Sequence, residues 1–134
     1  MNKENLKLRI KLEIEKSEES FKAAKVLFDS GLYDESVSSA YYSMFHMVKA
    51  LLLTIEKEPS THHGLVSLFG LNFIKPKLIE GSYNDLLIDA KESREAGDYD
   101  AARKFTKEEA FEKVENAEKF NKRILNYLKD KSCI

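Results

Sequence analysis

Residues 37–52 read VSSAYYSMFHMVKALL, and this stretch decides the fold. Its apolar side chains recur every three or four residues, which is the spacing of one face of an α-helix. They are Val37, Ala40, Tyr41, Met44, Phe45, Val48, Leu51 and Leu52. A stripe this wide predicts a helix buried on most of its surface. Asp34 offers an N-cap for this helix, and Pro59 lies beyond its end.

The same spacing predicts four further helices. We expect them over residues 5–30, after a cap at Ser60 or Thr61, from Ser82 towards Gly97, and from about Thr106 onwards, with Gly31, Pro76 and residues 98–100 as breaks. Strand signals are nearly absent. Amphipathic helices joined by brief connections can bury their stripes only against each other. The sequence therefore predicts an all-α fold: an antiparallel up-and-down bundle of four long helices plus one short helix, as a single domain over residues 1–134.

Composition limits the possible functions. The chain has 134 residues, 43% of them hydrophobic and 34% charged, which suits one globular domain. Its single cysteine, Cys133, favours a reducing compartment, and neither a signal peptide nor a membrane-spanning run is recognisable. We expect a cytoplasmic protein without a membrane partner. A net charge of −1 does not favour nonspecific nucleic-acid binding through a broad basic field.

A second stripe on the central helix carries chemically useful groups. It consists of Ser39, Tyr42, His46 and Lys49 at helical spacing. These side chains could present hydroxyl, imidazole and ammonium groups to a phosphate, and Tyr42 could stack on a base. They could equally form a seam between helices, where tyrosine and histidine are common. We favour the seam.

Two adjacent histidines, His62 and His63, stand at the start of the short helix. Free backbone amides at a helix N-terminus favour anions, so a histidine there could help to bind phosphate; the alternative is a capped surface turn. A metal site would need His46 and a carboxylate to converge with this pair, and no such spacing occurs. No P-loop, dinucleotide fingerprint or paired-cysteine motif is present either. We predict no metal and no cofactor.

Arg94 is unusual because it continues an apolar stripe. It follows Tyr83, Leu87 and Ala90 at steps of four, three and four residues. A guanidinium on this face needs a partner. It could pair with Asp98 one turn later, or bind phosphate with two hydrogen bonds in a cleft or across a subunit boundary. The internal pair is favoured slightly.

Four segments together resemble the HEPN family. They are AYYSMFHMVKALLL from Ala40, HHGL from His62, FIK from Phe73 and REAGDY from Arg94 to Tyr99. The resemblance covers roughly residues 17–126, and more narrowly it is to a prokaryotic branch of stand-alone proteins. It implies a four-helix bundle with a short extra helix, usually a homodimer whose cleft holds the functional residues. Many members are paired with a minimal nucleotidyltransferase as toxin and antitoxin.

Active HEPN members cleave RNA without a metal, using an arginine followed four to six residues later by a histidine. Arg94 matches the arginine, but Tyr99 stands where those members carry histidine. A tyrosine with a pKa near ~10 is a poor general base at neutral pH. Tyr99 could instead bind a base or phosphate, donate a proton, or accept a nucleotidyl group from a partner enzyme. His46 or His63 could replace the missing histidine if the fold brings either beside Arg94.

Three functional hypotheses follow. The first is a nucleotide- or RNA-binding module, with Arg94 and Tyr99 as candidate catalytic residues; the candidate binding residues are Tyr42, His46, Lys49, His63 and Asp98. The second is a metal-independent ribonuclease toxin. The third is a helical interaction scaffold without a nucleotide role. Similar GLYDES and GDYDAA segments at Gly31 and Gly97 would fit a repeat-like scaffold, but a middle copy is missing.

Overall fold

A computed structural model of the protein describes residues 2–102 and 104–134, except for the side chain of Tyr99. These residues form five α-helices and no strand: α1 (Lys3–Asp29), α2 (Tyr33–Leu53), α3 (His62–Phe69), α4 (Gly81–Tyr99) and α5 (Lys107–Asp130). The predicted all-α fold, with four long helices and one short one, is confirmed. Within the same residues, no helix is both long and apolar enough to cross a membrane.

Helices α1 and α2 run antiparallel. Arg9 near the start of α1 forms an ion pair with Glu58, which follows the end of α2. At the opposite end, the Ser36 hydroxyl donates a hydrogen bond to the Ala24 backbone oxygen at 2.7 Å. The reversal takes place at Gly31, whose φ of 78° is one that glycine adopts without strain.

Helices α4 and α5 form the second antiparallel pair. Lys113 on α5 donates to Asp89 on α4 at 2.6 Å, and Arg123 donates to Glu80, the N-cap residue of α4, at 2.8 Å. Later residues of α5 thus meet earlier residues of α4, as an up-and-down bundle requires.

Helix α2 is the centre of the bundle and packs against α1, α3, α4 and α5. Twelve of its 21 residues are buried, as a stripe this wide predicts. The long core side chains around it come from every other α-helix: they include Ile10, Leu65, Phe69, Leu87, Phe120, Ile124 and Leu128. Burying these groups supplies most of the driving force for folding.

Hydroxyl and amide groups also cross the core. Ser17 on α1 donates to the Ser43 backbone oxygen at 2.6 Å, and Asn121 on α5 donates to the Ser43 hydroxyl at 2.9 Å. The Ser43 hydroxyl in turn donates to the Ala40 oxygen at 2.6 Å. This network joins α1, α2 and α5 at one level and disfavours sliding of the helices past each other.

Two predicted helix ends are wrong. Asp34 is not the N-cap of α2 but lies in its first turn, where its carboxylate accepts a hydrogen bond from the Phe105 backbone amide at 2.8 Å. Its role is to anchor the chain before α5. The break expected at residues 98–100 begins only at Asp100, because α4 continues through Tyr99. Arg94 and Asp98 pair at helical spacing, which stabilises this last turn.

The short helix is capped as predicted, by the second of the two candidates. Thr61 accepts a hydrogen bond from the Gly64 amide at 2.9 Å. After Phe69 the chain continues into a π-helix at Gly70–Ile74, in which the Lys75 amide donates to the Gly70 oxygen at 2.8 Å. Sequence patterns contain no signal for this wider turn.

Helix α5 begins with a capping box, and this gives a first prediction. Thr106 accepts from the Glu109 amide at 3.1 Å, while the Glu109 carboxylate accepts from the Thr106 amide at 2.9 Å. We expect Thr106→Ala to lower the free energy of unfolding by about 1 kcal/mol, because an N-terminal amide of the helix loses its acceptor. Urea denaturation would measure this. Thr106→Ser keeps the hydroxyl and should stay near wild type; equal stability of the alanine and serine variants would contradict the prediction.

Candidate functional site

Arg94 lies on α4 and points towards α2. Its side chain is only 11% exposed. The guanidinium carbon lies 5.4 Å from the ring centre of Tyr41 and 5.6 Å from that of Tyr42. Leu87 and Ala90, on the same face of α4, are buried as the stripe predicted. The structure thus places a cation against two aromatic faces at the edge of the core, where cation–π attraction is strengthened by partial desolvation.

Arg94 has few hydrogen-bond acceptors for a guanidinium with five N–H groups. Its Nη1 donates to Asp98 Oδ2 at 2.9 Å and to the Tyr42 hydroxyl at 3.3 Å. Its Nε is buried and has no partner within the described residues. The Arg94–Asp98 pair was the favoured prediction, and it is confirmed. Asp98 is 45% exposed, so the carboxylate side of the pair faces water.

His62, the first residue of α3, joins this cluster. Its Nδ1 lies 2.6 Å from the Tyr41 hydroxyl. Its ring centre is 4.6 Å from that of Phe45, and Tyr42 meets it edge-on at 5.9 Å. Arg94, Tyr41, Tyr42, Phe45 and His62 therefore form one contiguous group contributed by α2, α3 and α4, which we call the Arg94 cluster.

Burial changes the acid–base properties of the cluster. It raises the pKa of the Tyr41 hydroxyl well above its ordinary value, although the Arg94 charge acts in the opposite direction. The hydroxyl therefore keeps its proton at physiological pH. Burial also lowers the pKa of His62, and the nearby charges of Arg94 and Lys91 lower it further. At neutral pH the cluster thus contains one fixed cation, a neutral phenol and a neutral imidazole.

Two residues of the polar stripe, His46 and Lys49, contact Glu13 on α1 and lie outside the Arg94 cluster. The His46 Nδ1 is 2.9 Å from one Glu13 oxygen, and the Lys49 Nζ is 3.4 Å from the other. Burial alone would raise the pKa of Glu13, but the bonds and charges of His46 and Lys49 together lower it. This is the seam between α1 and α2 that the sequence favoured. Of the stripe, only Tyr42 contacts Arg94.

His63, the histidine proposed from the sequence, is exposed, whereas its neighbour His62 enters the cluster. The signal that distinguishes them was present in the sequence. Leu65 and Phe69 mark the buried face of α3, and His62 precedes them by three and seven residues. His62 therefore shares their face, and His63 does not.

Tyr99, the other candidate catalytic residue, ends α4, but its side chain lies outside the described part of the protein. Its position relative to Arg94 is therefore not assigned.

Two of the concave regions on the bundle bear on the choice of site. One, of about 240 Å³, is lined by Asp34, Glu35, Ser93, Arg94 and Asp98 and opens where α2 begins and α4 ends. The other is an apolar groove of about 650 Å³ between α1 and α5, floored by Phe21, Met47 and Leu125. Only the first contains Arg94. Across residues 2–102 and 104–134, no three His, Cys, Asp or Glu side chains are grouped so as to hold a metal ion.

Comparison with known proteins identifies the family to which this chain belongs. The HEPN domain family profile matches residues 10–128. A Methanocaldococcus jannaschii protein named as a putative toxin is 41% identical over 117 residues, covering 87% of each chain. A second putative toxin of that organism is 38% identical over 133 residues, covering 96% of this chain and 90% of its own. A UPF0332 protein of Archaeoglobus fulgidus is 32% identical over 117 residues, covering 87% of this chain and 93% of its own.

The chain therefore belongs to the HEPN family, and the resemblance found in the sequence is confirmed. The two relatives named as putative toxins match 87% and 96% of this chain, so the likeness covers most of the bundle.

Proposed function

We propose that this HEPN protein binds a nucleotide or a single-stranded RNA segment at the Arg94 cluster and works with a partner protein as part of a toxin–antitoxin pair. The observation that carries the proposal is the state of Arg94: a cation, 11% exposed, held against two tyrosine rings with one half-exposed carboxylate as its ion-pair partner. Desolvated arginines of this kind bind phosphate strongly, because a planar guanidinium can donate two parallel hydrogen bonds.

The rings around Arg94 fit the rest of a nucleotide. Tyr42, Phe45 and His62 lie within 6.0 Å of each other, ring centre to ring centre. Aromatic faces stack on unpaired bases without regard to sequence, and each such contact contributes ~1–3 kcal/mol. A phosphate group on Arg94 and a base against these rings would use both parts of the cluster at once.

The partners belong to the same proposal. Relatives named as putative toxins support an antitoxin as partner, and a minimal nucleotidyltransferase is the form that the family resemblance implies. We also propose a homodimer, in which a second copy completes the cleft beside Arg94. Sedimentation velocity tests this: a monomer at micromolar concentration would contradict it. A cytoplasmic location, favoured by the single cysteine, completes the proposal.

The direct test is fluorescence anisotropy with a labelled single-stranded RNA, in the presence of a chelator. We expect saturable binding that unlabelled 5′-AMP reduces in competition, while adenosine competes less well because it lacks the phosphate. Binding should weaken as salt is raised, since phosphate contacts release counterions. No binding at millimolar protein would contradict the proposal and favour the scaffold hypothesis, in which Arg94 serves only as a packing and ion-pair residue.

Asp98 offers a sharper check, because it occupies the guanidinium group that a phosphate would use. We expect Asp98→Asn to raise RNA affinity by up to about fivefold. The variant removes the carboxylate that competes with phosphate for Arg94, and a partly exposed ion pair of this kind contributes ~0.2–1 kcal/mol. Asp85→Asn, an exposed carboxylate on the same helix, is the matched control and should change affinity little. Weaker binding by Asp98→Asn alone would instead mean that the carboxylate contacts the ligand itself.

A second candidate function is metal-independent RNA cleavage, which the relatives named as putative toxins favour. Arg94 would stabilise charge at the scissile phosphate, and Tyr99 or His62 would be the candidates for proton transfer. The test is incubation of wild type, Arg94→Ala and Tyr99→Phe with RNA and a chelator. Cleavage that is lost in Arg94→Ala supports a ribonuclease; cleavage unchanged in that variant points to a contaminating nuclease.

Tyr99 has one further role within the proposal: its hydroxyl is the candidate acceptor of a nucleotidyl group from a partner nucleotidyltransferase. Mass spectrometry of the chain after incubation with the partner and ATP tests this. We expect a nucleotidyl adduct on wild type and none on Tyr99→Phe. An adduct of equal yield on both proteins would place the modification elsewhere.

A further inference from the structure

We propose that His62 is the second phosphate-binding group of the Arg94 cluster, donating its Nε2–H to the anion that Arg94 also binds, and that the imidazole takes up a proton when the phosphate arrives. This inference rests on the proposed function, because it names a further residue and a proton-linked binding mode for the same site. It assigns the role to a histidine on α3, on a different helix from the Arg94–Tyr99 motif.

The geometry brings His62 and Arg94 to the same two rings. The His62 ring centre lies 5.6 Å from Tyr41 and 5.9 Å from Tyr42. The Arg94 guanidinium lies 5.4 Å and 5.6 Å from those rings. The imidazole and the guanidinium thus lie against the same two rings, close enough for the Arg94 charge to act on the imidazole. The proposed phosphate lies between them.

The Tyr41 hydroxyl determines which nitrogen of His62 carries the proton. This hydroxyl is buried and protonated, and Nδ1 of His62 is its one hydrogen-bond partner in the described residues. We therefore assign the O–H as the donor to Nδ1 of the neutral imidazole. The remaining proton must then be on Nε2. Tyr41 is the one hydrogen-bond partner of the His62 ring among residues 2–102 and 104–134. His62 is half-buried, so Nε2–H is left as a donor for a ligand.

The charges around His62 explain why ligand binding would add a proton. Besides burial, Arg94 and Lys91 on α4 disfavour the imidazolium, and Glu95 on the same helix favours it. Helix α2 presents the rings of Tyr41, Tyr42 and Phe45 to His62. A phosphate on Arg94 would offset that cationic field and place a negative charge beside the ring. An opposite charge within ~4–6 Å raises a histidine pKa by about 1–3 units. Proton uptake at Nδ1 is the consequence, and the Tyr41 hydroxyl then changes from donor to acceptor in its contact with His62.

The other two histidines are internal controls. His63 is adjacent in sequence but exposed on α3. His46 contacts Glu13 at the seam between α1 and α2 and does not contact Arg94. Neither should respond to a phosphate bound at the cluster.

The experiment is a pH titration of the three imidazole side chains by ¹H–¹⁵N NMR on the full chain, with and without 5′-AMP, and with adenosine as the phosphate-free control. We expect 5′-AMP to raise the titration midpoint of His62 by about one unit or more. The midpoints of His63 and His46 should not move, and adenosine should leave all three unchanged. The free protein should show His62 with its neutral proton on Nε2.

Variants provide a second readout. His62→Gln should weaken 5′-AMP binding by roughly three- to tenfold, as expected for loss of a hydrogen bond to a charged group. It should also flatten the pH dependence of binding between pH 5 and 8, whereas His63→Gln should do neither. Tyr41→Phe removes the hydroxyl that holds the neutral proton of His62 on Nε2. It should weaken binding less than His62→Gln. If a variant fails to fold, the wild-type NMR titration still decides.

The outcomes separate this inference from the function on which it rests. If 5′-AMP binds and shifts the Arg94 Nε–H signal but leaves the His62 midpoint unchanged, the role of His62 is refuted and the proposed function stands. If 5′-AMP produces neither change nor any competition with RNA, both are refuted.

Discussion

Replacing Arg94 by alanine should lower the affinity for single-stranded RNA by roughly ten- to hundredfold, because hydrogen bonds to charged groups contribute ~1.5–3 kcal/mol each. The fold should survive this change. Alanine removes a buried Nε–H that has no partner in the described residues, and it leaves Asp98 already 45% exposed to water. Loss of binding would therefore report on the ligand contact and not on unfolding.

Arg123→Ala is the matched control for this variant. Arg123 also pairs with a carboxylate, that of Glu80. Its replacement by alanine removes the same charge from the chain as Arg94→Ala does. It is not part of the aromatic cluster, so it should change RNA affinity by less than about threefold through the long-range field alone. Fluorescence anisotropy at one fixed salt concentration would measure both variants. Equal losses in the two would mean that RNA senses net charge and not the Arg94 cluster.

Replacing Phe120 by alanine should lower the free energy of unfolding by about 3–5 kcal/mol, the range for deleting a buried phenylalanine side chain. Phe120 on α5 is 0% exposed, and its ring contacts Phe69 of α3 at 5.8 Å and Tyr83 of α4 at 6.4 Å. The cavity would thus open where three helices meet. Since domains of this size are stable by only ~5–15 kcal/mol, the variant should lose a large share of its stability.

Phe111→Ala on the same helix is the control. Phe111 is 51% exposed and contacts one ring, Phe28, at 5.9 Å. Its loss should cost about 1 kcal/mol, as for one aromatic pair near the surface. Urea denaturation monitored by circular dichroism would compare the two variants. Similar losses would mean that α5 is not packed into the core as described.

The fold could be predicted largely because each helix carries its own signal. The stripe from Val37 to Leu52 is wide enough to require a central position, and α2 occupies it. A candidate cap located the start of α3 at Thr61, and apolar spacing located the start of α5 at about Thr106. The error at Asp34 came from a side chain that binds outside its own helix, because its carboxylate accepts a hydrogen bond from the Phe105 backbone amide before α5.

The site was predicted less completely, for a related reason. The Arg94–Asp98 pair follows from spacing within one helix, and sequence alone located it. The stripe on α2 divides between two neighbours, with Tyr42 facing α4 and His46 facing α1. That division depends on where the other helices pack. No spacing along α2 could reveal it.

The sequence could have shown which of His62 and His63 faces the core, but only if the first residue of the short helix α3 was known. Thr61 sets the start of α3, and Leu65 and Phe69 set its buried face, so His62 is the inward residue. In a helix of eight residues, the spacing of apolar side chains indicates the buried face only weakly until the N-cap is known. Contact with Tyr41 and Phe45 then makes His62 part of the cluster.

The measurement that tests the central claim most directly is a crystal structure of the protein with bound 5′-AMP. We predict its phosphate within hydrogen-bond distance of the Arg94 guanidinium and its base against the ring of Tyr42, Phe45 or His62. The alternative location is the groove between α1 and α5, where Lys22, Lys25 and Lys122 could attract an anion. A nucleotide bound there, with the Arg94–Asp98 pair intact, would contradict the account.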